Sequence, residues 1–353
     1  MTEGLRVAVV GAGYFGRFHL DAWDRNPEAT LVAVCDPDPT RLAAATEGRA
    51  AVGYEDFAAL LAAEDPDVID IVAPPVTHAD LIRAALRSGR TVICQKPFCT
   101  SLVEARAVTS DAAAAGTRVI IHENFRFQPW HRQLKRELDD GVLGTIYGAR
   151  FALRPGDGRG PDAYLSRQPS FQAMPRFLIR ETGVHFVDLY RWLFGPVIAV
   201  YADLRQLNPA IKGEDAGLMI FDHDSGATSI FDGNRHADHI AEDKRRTMGD
   251  MLVEGEGGAL RLDGFGRLWL RRFGDNDEHA VPLAWSVDEA TYGGGCVGYL
   301  IDHVVNGLVR GAPIENTAES YLEVVAIEEA VYRSAELGKK LRLDQDLPPP
   351  TAS

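Results

Sequence analysis

The sequence predicts an α/β protein in two parts: a parallel sheet with helices on both faces, then a C-terminal half on a mixed sheet rich in hairpins. Two observations carry this reading. From Leu5 to about His122, short runs rich in Val and Ile alternate with longer amphipathic stretches; after about Asn124, strand-like runs follow one another across tight polar turns. Runs without polar alternation suit strands buried on both faces. A β-α repeat implies right-handed crossovers and therefore a parallel sheet.

In the first half the runs are LRVAVVGAG, LVAVCDPD, VIDIVAPP, TVICQKP and RVIIHENF, with helices expected near 16–26, 38–46, 57–63, 78–88 and 102–115. A helix near 129–140 then leads into TIYGARFALR, VIAVYADLR, AGLMIFD, ATSIFDGN, DMLVEGE, ALRLDG and RLWLRRF, where turns such as DHDSG and DGFG favour antiparallel hairpins. Helices near 298–310 and 317–337 close the chain. The expected division is 1–123, 124–345 and a tail at 346–353 whose Pro-rich end should fray. The Gly- and Pro-rich stretch from Pro155 to about Arg176 is long for a connection, and its aromatic, Arg and Asp content points to an ordered lid or pocket wall; a flexible surface excursion is the alternative.

Composition narrows the function classes. The chain has 353 residues, 46% hydrophobic and 25% charged, an ordinary globular balance with room for about two domains. Acids outnumber bases 51 to 37, a net charge of −14, and no basic stripe offsets it. Nucleic acid and anionic membranes are therefore excluded as expected partners. Cys35, Cys94, Cys99 and Cys296 form no C-x-x-C pair and no disulfide framework. The start lacks the pattern of a secretory signal, and no apolar run approaches the roughly 18 residues of a membrane span. A cytoplasmic location is the expectation.

The first run ends in Gly11-Ala12-Gly13-Tyr14-Phe15-Gly16. Gly11 permits the tight strand-to-helix turn, Gly13 lets backbone N–H groups approach a pyrophosphate, and Gly16 lets helix and strand pack closely. Asp36, at the end of the second run, is placed to accept ribose hydroxyls and repel a 2′-phosphate, which favours NAD over NADP; Arg41 nearby softens that preference. The third and fourth runs end in Ala73-Pro74-Pro75-Val76-Thr77-His78 and Cys94-Gln95-Lys96-Pro97, at the strand ends that line a ligand crevice in such sheets. Lys96 is a candidate to relay a proton or bond a substrate oxygen; holding strand carbonyls is the alternative.

Glu181 and His185, four apart, are expected on one helical face, where the carboxylate can orient the imidazole, with Asp188 one turn further. A structural histidine and a metal pair are the competing readings. His236 and His239 resemble a metal site superficially but sit in a polar stretch that reads as a solvated charged loop. No metal is expected. Neither a nucleophile elbow nor a P-loop is present.

Together, Gly11–Gly16, Asp36, Ala73–His78, Lys96-Pro97, Asn124–Phe127, Gly183-Val184-His185, Asp188-Leu189 and Trp192–Gly195 resemble the Gfo/Idh/MocA family across nearly the whole chain. The resemblance implies a Rossmann domain joined to an α/β domain with a large, mostly antiparallel open sheet used for oligomerisation, and hydride transfer at a sugar or polyol carbon. It implies NAD contacts from Gly11, Gly13, Tyr14, Phe15, Gly16, Asp36, Arg41, Pro74, Pro75, His78, Gln95, Lys96 and Asn124, and catalysis by Lys96 and His185 with Glu181 beside them. Arg126, Arg154 and Arg176 join His185 as candidates for hydroxyl binding or loop anchoring, with a structural ion-pair partner the equal alternative for each arginine. Two positions depart from the family pattern: Gln95 stands for the usual Glu, and Glu181 for a frequent Asp. The segments 94–98, 122–130, 153–161, 213–217 and 231–235 resemble a narrower group, the bacterial D-apiose dehydrogenases. The expectation is an NAD-dependent, homo-oligomeric (dimeric or tetrameric) dehydrogenase oxidising a small sugar at its anomeric carbon, plausibly D-apiose to its lactone. Another polyol or carbonyl substrate, an NAD-recycling glycosidase and a non-catalytic NAD-binding regulator are the alternatives.

Overall fold

In the computed structural model, which describes residues 4–345, every apolar run of the first half becomes a strand; the tail predicted at 346–353 lies outside the described residues. The order is β1 (Leu5–Val10), α1 (Gly16–Arg25), β2 (Ala29–Cys35), α2 (Pro39–Thr46), β3 (Val52–Tyr54), α3 (Phe57–Ala63), β4 (Val68–Ile71), α4 (His78–Arg87), β5 (Thr91–Gln95), α5 (Leu102–Ala114) and β6 (Val119–His122). All pairings are parallel in the order β3-β2-β1-β4-β5-β6, so the sheet reverses direction between β1 and β4, where α/β sheets bind ligands. Val7, Ala8, Val9, Ile69, Ile71, Val92 and Ile93 have no exposed surface, which explains runs without polar alternation. Asp38, Asp56 and Ser101 cap α2, α3 and α5 through side-chain acceptors. The short strand β3 went unpredicted because it is three residues long and largely exposed.

The second half contains α6 (Pro129–Asp139), β7 (Ile146–Leu153), α7 (Ser170–Ala173), α8 (Val184–Phe194), β8 (Val197–Arg205), β9 (Ala216–His223), β10 (Thr228–Asn234), β11 (Gly249–Gly255), β12 (Gly258–Leu262), β13 (Leu268–Arg272) and β14 (His279–Val281), then α9 (Cys296–Arg310), α10 (Ala318–Leu337) and β15 (Leu341–Arg342). Nine strands pair in the order β14-β13-β12-β11-β7-β10-β9-β8-β15, antiparallel except for β10 with β7. Along β9 and β10 alternate residues are buried, so Met219, Phe221 and Phe231 share one face while Leu218, Ile220 and Ile230 are half-buried on the other. α8 lies on the buried face, where Phe186 meets Phe151 at 4.1 Å and Phe231 at 5.0 Å between ring centroids. The stretch after β7 is ordered: Ala163, Tyr164, Phe171, Phe177 and Ile211 form an apolar cluster, and Asn208 Nδ2 donates to the Gly158 and Gly160 carbonyls.

The domain division differs from the predicted single boundary. One unit comprises the chain up to Asn124 together with Cys296–Val325; the other comprises Phe125–Gly295 and the chain from Ala326. The returning segment belongs to the first unit because it closes an open sheet edge. Ile121 N–H donates to the Asn316 carbonyl at 2.7 Å, Asn316 Nδ2 donates to the Glu123 carbonyl at 2.9 Å, and α9 meets α1 through Asn26–Asp302 and Glu28–Arg310. No periodicity signals such a return.

The β1–α1 turn separates its glycines by role. A Cβ at Gly11, whose φ is +107°, would lie 2.7 Å from the Val72 carbonyl carbon, and one at Gly16 would strike the Gly11 carbonyl oxygen; around Gly13 nothing lies within 4 Å. Gly16→Ala should therefore destabilise the protein by about 1–3 kcal/mol through overpacking, whereas Gly13→Ala should change stability by less than about 1 kcal/mol. Thermal unfolding of the two variants checks the contrast.

Candidate active site

The first unit presents a cradle at the carboxyl ends of its strands. α1 starts at Gly16 with no side-chain cap and no acid in its first turn, and a Cβ built at Gly13 just before it would meet nothing within 4 Å. Such an end favours a phosphate. Tyr14 and Phe15 stand half-buried in the turn, and Arg17 lies over the Tyr14 ring at 4.5 Å. Asp36 is 4% exposed: Oδ2 accepts Ala12 N–H at 2.8 Å and Oδ1 accepts Asp38 N–H at 2.9 Å and Arg41 Nε at 3.2 Å. Oδ1 is therefore committed, and Oδ2 keeps a lone pair for a ribose hydroxyl.

Pro74 is exposed and Pro75 half-buried at the end of β4. His78, predicted as a cofactor contact, instead lies fully buried with its ring nitrogens 3.1 Å from the Phe98 carbonyl and 2.8 Å from the Ala73 carbonyl. Burial lowers its pKa, and it ties the segment after β4 to the one after β5. Lys96, half-buried, follows β5 and is joined to Pro97 by a cis peptide. Gln95, expected beside the cofactor, turns inward toward His19 and His122. Asn124 is 2% exposed, and its Oδ1 has no hydrogen-bond partner among the described residues. An uncapped helix start, open space at Gly13, an anchored acid and an orphaned buried amide oxygen together fit a dinucleotide.

In the second unit the chemistry gathers around α8. His185 is 4% exposed and stacks on Phe125, with centroids 3.8 Å apart and planes 2° from parallel. The Phe125 carbonyl in turn accepts from His131 Nδ1 at 2.8 Å; burial pushes His131 down to about 4, so it is neutral. Asp188 binds Arg126 bidentately, with Nε to Oδ2 at 2.8 Å. Arg126 is therefore an ion-pair partner of α8.

Glu181 is not on the same α-helix as His185. Leu178–Gly183 forms a π-helical turn, and α8 starts at Val184. The turn is held from outside, since Glu214 Oε1 accepts the Phe177 and Ile179 N–H groups at 3.1 Å and the Tyr332 hydroxyl at 2.6 Å. Such insertions recur at functional sites. The Glu181 carboxylate accepts from Arg235 Nη2 at 2.9 Å and from the Thr182 hydroxyl. Arg235, only 1% exposed, also meets Asp157 at 3.2 Å, so one guanidinium joins the Gly-Pro stretch to Glu181. Opposing charge raises its pKa against the pull of burial.

Sequence reasoning missed Arg235, Glu214, Asp157 and Tyr332. A buried arginine looks like a surface one in sequence, and the pairs span 54 positions in the case of Glu181 and Arg235. Arg154 pairs with Asp232, and Arg176 is exposed over the Tyr332 ring at 4.3 Å. The stretch holding His236 and His239 exposes Asp238, Glu242 and Asp243, as expected of a charged loop, but both imidazoles are tied down. His236 Nε2 meets Asp215 Oδ2 at 2.8 Å, while His239, 8% exposed, meets the Arg154 carbonyl at 2.8 Å. Among the described residues no group of three or more His, Cys, Asp and Glu is placed to hold a metal ion, and no helix is long and apolar enough to cross a membrane.

Known proteins share this arrangement. Residues 5–123 match the profile described as an oxidoreductase family with an NAD-binding Rossmann fold, and residues 131–261 match the GFO/IDH/MocA C-terminal domain. A D-apiose dehydrogenase from Paraburkholderia graminis is 34% identical over 345 residues, covering 95% of this chain and 89% of the relative. One from Rhizobium rhizogenes is 32% identical, covering 96% of this chain and 97% of the relative. The crystal structure of an oxidoreductase from Agrobacterium radiobacter, in complex with NAD+, L-tartaric acid and magnesium, superposes with a TM-score of 0.88 at 30% identity over 98% of this chain and all of that one. With the cradle, the sheet order and both domain profiles in agreement, the chain belongs to the Gfo/Idh/MocA family of NAD-binding oxidoreductases.

Proposed function

We propose that the protein oxidises a small neutral sugar at its anomeric carbon, with D-apiose the first candidate and its lactone the product. One observation carries the substrate class: three arginines around α8 are already matched by acids. Arg126 pairs with Asp188, Arg154 with Asp232, and Arg235 with Asp157 and Glu181. An anionic substrate would have to break such a pair, at considerable cost where the pair is buried. Hydroxyls, in contrast, can donate to the carboxylate oxygens already present. The two D-apiose dehydrogenases that align over nearly all of the chain support apiose among neutral sugars.

Bound NAD+ supplies the hydride acceptor. Gly13 and the start of α1 would hold its phosphates, Asp36 would take one ribose hydroxyl, and Asn124 Oδ1 would accept from a donor on the cofactor. His185 takes the hydroxyl proton as the C–H bond breaks. Its stack on Phe125 holds the ring in one plane for the transfer. Lys96 bonds the reacting oxygen, and Glu181, fixed by Arg235, sets a negative charge on the His185 side. A cytoplasmic setting agrees with four buried free cysteines, and a homo-oligomer with the half-buried apolar positions Leu218, Ile220 and Ile230 on the sheet's second face.

With added NAD+ and a panel of sugars, D-apiose should give net NADH absorbance. No turnover on any sugar, polyol or carbonyl compound, in either direction, would overturn the dehydrogenase reading; hydrolysis without net NADH would indicate cofactor recycling. Lys96→Ala and His185→Ala should each lower kcat by about 10²- to 10⁴-fold while NAD+ affinity, measured by titration, stays within about threefold. Asp36→Ser removes the acid and releases Arg41 toward a 2′-phosphate, so the NAD/NADP ratio of kcat/KM should fall by about tenfold or more.

A further inference from the structure

Gln95 ends β5 and is 7% exposed. Its Oε1 accepts the Lys96 N–H at 2.9 Å, which fixes the orientation of the amide and turns Nε2 toward two imidazoles. His19 Nε2 lies 3.0 Å away and His122 Nδ1 3.2 Å away. An amide nitrogen has two hydrogens and accepts none, so both facing ring nitrogens must offer lone pairs. His19 therefore carries its proton on Nδ1, where it donates to Asp70 Oδ2 at 2.7 Å, beside the Trp23 indole donating to the same oxygen at 2.7 Å. His122 carries its proton on Nε2. The two rings lie 4.1 Å apart, and His19, Asp70 and His122 are all fully buried.

Other titratable groups pack close to this pair. Cys94 precedes Gln95, with its thiol pushed well up by burial, and Glu123 follows His122, with its carboxylate accepting the Tyr321 hydroxyl at 3.0 Å. Asp70 is the anion bonded to His19, and a cation on either ring would take from the Gln95 amide one of its two acceptors.

We propose that Gln95 is a positioning residue for Lys96, and that the neutral histidine pair beneath β5 selects an amide rather than a carboxylate at this position. The amide is anchored on one side by two lone pairs and on the other holds the Lys96 backbone. A carboxylate would accept from Lys96 equally well but would face two acceptors: His122 could answer by moving its proton to Nδ1, whereas His19, whose Nδ1 proton is held by Asp70, would have to bind a second proton on Nε2 in the core. The departure at Gln95 is thus matched to the interior of the sheet and is not a charge missing from the cofactor's surroundings. The kinetic consequence rests on the proposed role of Lys96; the protonation pattern does not.

The test uses the full chain with isotope-labelled histidine. Long-range proton–nitrogen spectra near neutral pH, assigned through single His→Gln variants, should show His19 as a neutral Nδ1–H ring and His122 as a neutral Nε2–H ring. In Gln95→Glu His19 should become doubly protonated, while His122 stays neutral with its proton on Nδ1. Gln95→Glu and Gln95→Met should lower kcat by about tenfold or more with the KM for NAD+ within about threefold, since a displaced Lys96 affects chemistry more than binding. A charged ring or two like tautomers in the wild type, neutral rings in Gln95→Glu, or full kcat in both variants would overturn the proposal. Should Gln95→Met fail to fold, the near-isosteric Gln95→Glu decides. The spectra need no sugar, so a failed dehydrogenase reading leaves the protonation test intact.

Discussion

A buried polar group without a partner costs about 1–3 kcal/mol, and the functional parts of this chain are arranged around that constraint. Asp36 leaves the solvent by taking the Ala12 and Asp38 N–H groups, which also shapes the glycine turn. Glu214 does the same at the start of the π-helical turn, and Arg235 satisfies two acids at once between that turn and the stretch after β7. Each pairing sets the direction of a group that then has chemistry to perform. Asn124 Oδ1, a buried acceptor with no hydrogen-bond partner among the described residues, lies just past the end of β6, where a cofactor is expected.

The same constraint explains how an acidic protein holds an anionic cofactor. The net charge of −14 opposes phosphate at long range. Solvent and salt screen that field over about 8–10 Å, whereas an uncapped helix start acts at contact distance. Around α8 the balance is also local, for acids there come paired with arginines. A neutral, hydroxyl-rich ligand disturbs such a balance least.

Much of the fold was legible because its signals are local. Val- and Ile-rich runs, the turns at 223–227 and 263–266, and capping residues such as Asp38 act within a few residues, and the observed elements follow them closely. The glycine turn was legible for the same reason. The partners of His78, Gln95 and Arg126 were not legible, because a motif names a residue without naming the direction of its side chain. His78 turned to two carbonyls, Gln95 to two histidines and Arg126 to Asp188. The return of 296–325 to the first unit was equally invisible, since it depends on a free edge at β6 and not on any pattern in the returning segment.

By itself the sequence determined the class of fold, the cofactor cradle and the family, since these rest on periodicity and on glycines whose necessity follows from backbone sterics. Tertiary structure alone decided which charges are spoken for, where Glu181 lies relative to the helix of His185, and which groups Gln95 faces. Those outcomes depend on pairings between residues as far apart as His19 and Gln95 or Glu181 and Arg235. Burial makes such pairings obligatory, and nothing local specifies the partner.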